Sequence, residues 1–270
     1  MHATYPQTPG LSAVLQSGVL QVTITNEARR NALDDEAVLA FIEVAELAQR
    51  DENVRAVLVA GAGGNFCSGF DIVARNAGEG ERPRVGAIQR RLPVQAHRLI
   101  PSLLELQVPV VAAVRGYAVG IGFQLALVSD FVVTCQSATF WEPFSRRGMT
   151  PDGGAAWLLP RIVGPLRARQ LLMLGRRLDG AEAQQWGIAH ACVAEEAVDG
   201  EASRLARELA DGATVALGLT KWLLNTGLDQ PLKDHLQNEA FAMELGSRSP
   251  DFREGLAAFV GKRDPKFTGR

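Results

Sequence analysis

Between Leu20 and Thr25 apolar and polar residues alternate, with Leu20, Val22 and Ile24 set against Gln21, Thr23 and Thr25. That period of two predicts a half-buried strand over 19–25, preceded by the Ser17-Gly18 turn and a first strand over 12–16. The period then changes. Leu33, Ala37, Phe41, Val44 and Ala48 fall at helical spacing, and Asp34-Asp35-Glu36 place acids at the positive end of the helix dipole. Short apolar runs at 54–60, 108–114 and 130–134 predict core strands, the first of them a buried parallel one. Helices are expected over 92–107 and 123–129, and beyond Pro160 the pattern is mostly helical, over 166–174, 181–186, 202–209 and 231–245. The stretch Ala74 to Arg91 carries Gly, Glu, Pro and five arginines with weak periodicity, and reads as a mobile surface loop leading into a helix. Strands alternating with helices, followed by a helical tail, predict an α/β core with a C-terminal helical appendage.

Composition narrows the function classes. A length of 270 residues, 47% hydrophobic, suits one domain or a domain with a short appendage. Only 6% of residues are aromatic, so the core must rest on Val, Leu, Ile and Ala. A net charge of −2 gives no general attraction to nucleic acid or to an anionic membrane. Cys67, Cys135 and Cys192 match no zinc spacing and no disulfide framework, so no metal is expected. The first ten residues hold no apolar run of a signal peptide, and no window reaches 18 uninterrupted apolar residues. A cytoplasmic location is the expectation.

Two segments share one local logic, a buried strand, a glycine-containing turn and a helix start: Ser68-Gly69-Phe70-Asp71 and Gly120-Ile121-Gly122. The first amides of a helix lack internal partners. Two such donors aimed at one point stabilise a carbonyl oxygen that gains negative charge, and glycine lets a ligand approach the backbone. Either segment alone also reads as a plain turn.

Together with Arg30-Asn31-Ala32-Leu33, Phe66-Cys67-Ser68-Gly69-Phe70-Asp71, Pro109-Val110-Val111-Ala112-Ala113-Val114 and Gly116-Tyr117-Ala118-Val119-Gly120, these segments resemble the successive signatures of the crotonase (enoyl-CoA hydratase/isomerase) family. The resemblance runs from about Ser12 to the C-terminus. It implies a spiral of ββα turns over residues 1–195 and a C-terminal helical trimerisation region over 196–270. It also implies a homotrimer or dimer of trimers, and an acyl-CoA substrate that itself brings the coenzyme A, with no separate cofactor. Carried over, the oxyanion-hole donors are the N–H groups of Ser68 and Ile121, where the family usually has glycine at the second position. Arg30, Ala32, Gly69, Asp71, Gly120 and Phe144 are the substrate-binding candidates. The Arg29-Arg30 pair lies where relatives contact the adenine end, and reads equally as a solvated helix start.

Hydratases of this family use two glutamates, and here those positions hold Gln124 and Phe144. Neither side chain can shuttle a proton, so two-carboxylate water addition is disfavoured. Pro151-Asp152-Gly153-Gly154 and the following Trp157-Leu158-Leu159-Pro160-Arg161 resemble ring-1,2-epoxyphenylacetyl-CoA isomerases, as does the tail from Gly255 to Phe267. This implies Asp152 as the single acid/base that moves a C=C bond, its pKa raised if Phe144 and Trp157 desolvate it. Pro-Asp-Gly-Gly is also a good turn, so both roles stay open. Glu142 stands as a displaced second acid or a structural residue, and Cys67 is assigned to packing. One alternative is an aroyl-CoA dehalogenase-like reaction with Asp152 as nucleophile and His97 as base. Another is a CoA-thioester-binding protein that has lost catalysis.

Overall fold

A computed structural model describes residues 4–72 and 84–270. The strands β1 (Leu11–Gln16) and β2 (Val19–Ile24) pair as an antiparallel hairpin around Ser17-Gly18. Helix α1 (Asp35–Ala48) follows, and Asp34 caps it by accepting the Ala37 N–H at 2.8 Å. Its buried face is the one the helical spacing foretold, with Ala37, Phe41, Val44 and Ala48 all out of solvent.

β3 (Ala56–Gly61), β4 (Val110–Val114), β6 (Phe131–Cys135) and β9 (Ala191–Val193) extend the hairpin in parallel. The resulting six-stranded sheet runs β1-β2-β3-β4-β6-β9. All five residues of β4 are buried, as a strand covered on both faces requires. A second layer of three short strands, β5 (Tyr117–Val119), β7 (Thr139–Trp141) and β8 (Arg177–Asp179), runs in the order β5-β7-β8. Cys67 joins this layer through a parallel bridge to Ala118. The chain thus winds from large sheet to small layer to helix and back, the ββα spiral expected from the resemblance.

The remaining helices are α2 (Ala87–Arg91), α3 (Leu99–Leu104), α4 (Ile121–Val128), α5 (Ala155–Leu172), α6 (Gly180–Gln185), α7 (Val198–Ala210), α8 (Thr214–Gly227), α9 (Leu232–Gly246) and α10 (Pro250–Val260). Two expectations change. The single helix over 92–107 is instead two 3-10 turns, Leu92–Val94 and Ala96–Arg98, followed by the short α3. Gln95, at φ −127 and ψ −108, breaks the run just after Pro93, which removes a helix donor. The helical stretch expected from Leu166 is the second half of α5, which begins at Ala155 and bends where Gly164 takes a φ of 79. Of the expected loop from Ala74 to Arg91, residues 74–83 lie outside the described residues, and α2 follows.

The helical tail docks through polar anchors. Helix α7 packs across β3, β4 and β6. From α8, Lys221 reaches into the core: its Nζ donates to the Leu103 and Val108 carbonyls at 3.1 and 3.3 Å and pairs with Asp130 at 2.8 Å. Arg55, just before β3, donates to Gly212 O at 2.8 Å and to Thr214 Oγ1 at 3.1 Å. Among the described residues no helix is long and apolar enough to cross a membrane.

Candidate active site

The two glycine turns lie side by side. Cys67 N donates to Tyr117 O at 2.8 Å and Val119 N to Cys67 O at 3.0 Å, which zips the segment before Ser68 to the segment before Ile121. Gly122 is packed so closely on this seam that a Cβ there would sit 2.3 Å from the Cys67 carbonyl oxygen. The Cys67 thiol is fully buried, and burial pushes its pKa up to about 12, in keeping with a packing role.

Helix α4 starts on this seam. Gly120, its N-cap, has φ 54 and supplies no side chain, and its own N–H donates to Trp141 O at 2.9 Å. Among the described residues no acceptor pairs with the Ile121 N–H, as expected for the first amide of a helix. Ser68 differs. Its N–H donates to Arg30 O at 3.0 Å and its hydroxyl to Arg29 O at 2.9 Å, so this amide is spent inside the turn. The assignment of Ser68 as an oxyanion donor is therefore corrected. Just beyond it, Gly69 at φ 109 redirects the chain, and Leu33 N to Gly69 O (2.9 Å) and Asp71 N to Leu33 O (2.8 Å) form a parallel bridge. Alternate amides of an extended segment point to opposite edges, so the Phe70 N–H is directed away from Leu33.

Two cavities flank these turns. One of about 730 Å³ is lined by Arg29, Ala32, Ser68, Phe70, Asp71 and Arg147, among others. Arg29 and Asp71 form an ion pair across it. Arg30 is turned elsewhere, its guanidinium 5.3 Å from the centre of the Tyr117 ring. The cation of this cavity is thus Arg29, with Arg147, which sequence reasoning did not single out. The other cavity, about 490 Å³, is lined by His97, Ile100, Asp152, Gly153, Trp157 and Leu158, among others. Met149 borders the first and Pro151 the second, so the two cavities meet the chain two residues apart. Gly120 and Ile121 line neither, and Phe144 is half-buried at the start of a 3-10 turn, also outside both.

Asp152 sits beside α4. Gln124 lies one turn after Ile121 on the same helix face, and its side chain is 1% exposed. Its Nε2 donates to the Asp152 carbonyl at 2.9 Å and to Glu142 Oε1 at 3.4 Å. The Asp152 carboxylate accepts the Gly153 N–H at 2.8 Å, and its Oδ1 is 2.5 Å from His97 Nε2. Its side chain is 45% exposed, so Phe144 and Trp157 do not seal it from water. Trp157 does line the cavity, but its ring stacks on Arg161 at 3.8 Å. Glu142 is the opposite case. It is fully buried, and burial holds its carboxyl well above the usual carboxylate range, partly offset by the Gln124 amide. It does not share a face with Phe144, because β7 ends at Trp141 and Phe144 is helical. Among the described residues no group of three or more His, Cys, Asp or Glu is placed to hold a metal ion.

Paired glycine turns on a ββα spiral, the first of them lining a cavity, reduce the question to one of lineage. The sequence model described as enoyl-CoA hydratase/isomerase matches residues 15–270. The chain belongs to this family. It is 38% identical to the 1,2-epoxyphenylacetyl-CoA isomerase of Escherichia coli K12 over 257 residues, 95% of this chain and 97% of that one. It is 32% identical to the carnitinyl-CoA dehydratase of the same strain, over 93% and 95% of the two chains. The crystal structure of an enoyl-CoA hydratase from Polaromonas sp. JS666 superposes with a TM-score of 0.85 at 32% identity, covering 95% of this chain and 99% of that one. Isomerase, dehydratase and hydratase thus all stand among this family member's relatives, on one shared crotonase fold.

Proposed function

We propose that this family member shifts a C=C bond in an enoyl-CoA or a ring-epoxide/oxepin-CoA thioester, with Asp152 as the only proton carrier at the substrate. The observation that carries the reading is the contact from Gln124 to Asp152. The helix whose first amide, at Ile121, has no acceptor among the described residues also fixes, one turn later, the backbone of the acid. The acid, in the loop before α5, is thereby tied to the helix that carries the oxyanion donor. Where a hydratase uses a glutamate, this chain uses an amide that anchors and does not titrate.

The steps follow from these residues. The thioester oxygen accepts from the Ile121 N–H, since the Ser68 N–H is engaged by Arg30 O. Charge developing on that oxygen is stabilised by preorganised dipoles. Asp152 takes a proton from one carbon next to the conjugated system and returns one to another, so the double bond moves and no water is added. Arg29 and Arg147 supply cations for the phosphates of coenzyme A. The 38% identity to an acyl-CoA isomerase supports this choice of reaction. A homotrimer or dimer of trimers is part of the proposal, supported by exposed apolar side chains on the later helices, such as Leu166, Met173, Leu224, Phe241 and Phe259.

Conversion of 3-enoyl-CoA to 2-enoyl-CoA by Asp152→Asn tests the reading. General acid–base groups contribute roughly 10²–10⁴-fold, so kcat should fall by about that factor while the thioester still binds. Unchanged turnover removes Asp152 from the mechanism. The 2.5 Å His97–Asp152 contact favours one second reading, a dehalogenase-like hydrolysis with Asp152 as nucleophile and His97 as base. Halide release from a 4-halobenzoyl-CoA, lost on changing either residue, would select it instead.

A further inference from the structure

We propose that His97 is the solvent-exchange partner of Asp152, a positioning residue that swaps the hydron taken from the substrate for one from water between the two halves of the isomerisation. This rests on the isomerase reading above. Two features of the geometry carry it. The first is the direct contact of His97 Nε2 with Asp152 Oδ1 at 2.5 Å, between residues 55 apart in sequence. The second is the placing of the imidazole. With Pro101 and Glu105 it lines the cavity of Asp152, and it also lines a separate cavity of about 530 Å³ bordered by Glu46, Gln49, Arg98 and Ser102. His97 therefore stands between the cavity of the acid and a second open hollow, and its side chain is 39% exposed.

Imidazole takes up and releases protons in the physiological pH range, and an imidazolium N–H open to water exchanges with it. Asp152, having accepted a proton from the acyl carbon, is a carboxylic acid. It passes that proton across the contact to Nε2, leaving a carboxylate beside an imidazolium. The part-exposed imidazolium then exchanges its Nε2 hydron with water when the contact to Asp152 opens. A hydron then returns to Asp152 and is delivered to the second carbon as the double bond moves. One substrate hydron leaves and one solvent hydron enters, with no change in charge or oxidation state. Asp152 is itself 45% exposed, so direct exchange of the acid with water is the competing route, and the His97 variant separates the two.

The test is a single turnover of 3-enoyl-CoA in D2O, with product amount and deuterium content read separately by mass spectrometry. An enzyme-free control corrects for spontaneous exchange. Wild type is expected to give 2-enoyl-CoA carrying a new C–D bond in most molecules. His97→Gln, which can still donate to Asp152 but has no exchanging ring, should form product with a several-fold loss of deuterium. A purely structural role for His97 would slow the reaction without altering the labelled fraction, and equal labelling in the two proteins overturns the proposal. So does wild-type product that retains its own hydrogen. No product from wild type overturns the isomerase reading, and the exchange role with it.

Discussion

Replacing Gln124 by glutamate restores the residue type of a hydratase and, on the geometry here, should damage this enzyme. The buried amide has two donors, one on the Asp152 carbonyl at 2.9 Å and one on Glu142 at 3.4 Å. Gln124→Glu keeps the shape and removes both. An ionised carboxylate at this site would face a carbonyl oxygen and a second buried acid, so it would take up a proton. A protonated acid has one donor for two acceptors, and at least one is orphaned. A buried acceptor left unsatisfied costs about 1–3 kcal/mol, and each kcal/mol lowers Tm by roughly 2–4 °C in chains somewhat shorter than this one. Freed of its anchor, the Asp152 turn should shift, and a displacement of about 1 Å can cost on the order of 10²-fold in rate. Tm by calorimetry, kcat for 3-enoyl-CoA isomerisation and Kd for a saturated acyl-CoA are the readouts. The expected pattern is a lower Tm and kcat with Kd nearly unchanged, since Gln124 lines neither cavity. Water addition should not appear, because Phe144 offers no second acid. A variant with wild-type Tm and kcat, or one that hydrates 2-enoyl-CoA, would refute the anchoring argument.

Two further outcomes follow from buried groups. Burial raises the Glu142 pKa above its ordinary 4.5 in the folded protein, so the unfolded chain releases this proton first. Wild-type stability should therefore decline as pH rises from 4.5 toward the folded value, whereas Glu142→Gln should lack that slope; parallel Tm–pH curves for the two proteins would contradict it. At the seam of the two turns, Gly122→Ala places a methyl 2.3 Å from the Cys67 oxygen and 2.7 Å from its Cβ. The turns must move apart, and both Tm and kcat should fall, while wild-type kcat in this variant would show that their spacing does not matter.

The parts legible in the sequence are those with local causes. The β1–β2 hairpin, α1 and the fully buried β4 follow from periodicities of two and of three to four. The layer β5-β7-β8 does not, because its strands are three residues each and too short to show a period. Helix α8 was hidden for a related reason: its fully buried residues are Gly218 and Lys221, which make no apolar stripe. At the site, residue types identified the glycine turns and Asp152. They did not tell which amide faces outward, since that depends on the redirection of the chain at Gly69. Nor did they reveal the contacts of Asp152 with His97 and Gln124, which join residues 55 and 28 positions apart. The expected burial of Asp152 is not met: its side chain is 45% exposed, and Phe144 lies outside its cavity.

A crystal structure with a saturated, non-isomerisable acyl-CoA bound bears most directly on the division of labour between helix start and carboxylate. The thioester oxygen should lie within hydrogen-bonding distance of the Ile121 N–H, with an Asp152 oxygen in proton-transfer reach of the carbons beyond the carbonyl. A thioester seated away from Ile121, or one whose acyl carbons lie remote from Asp152, would contradict the account.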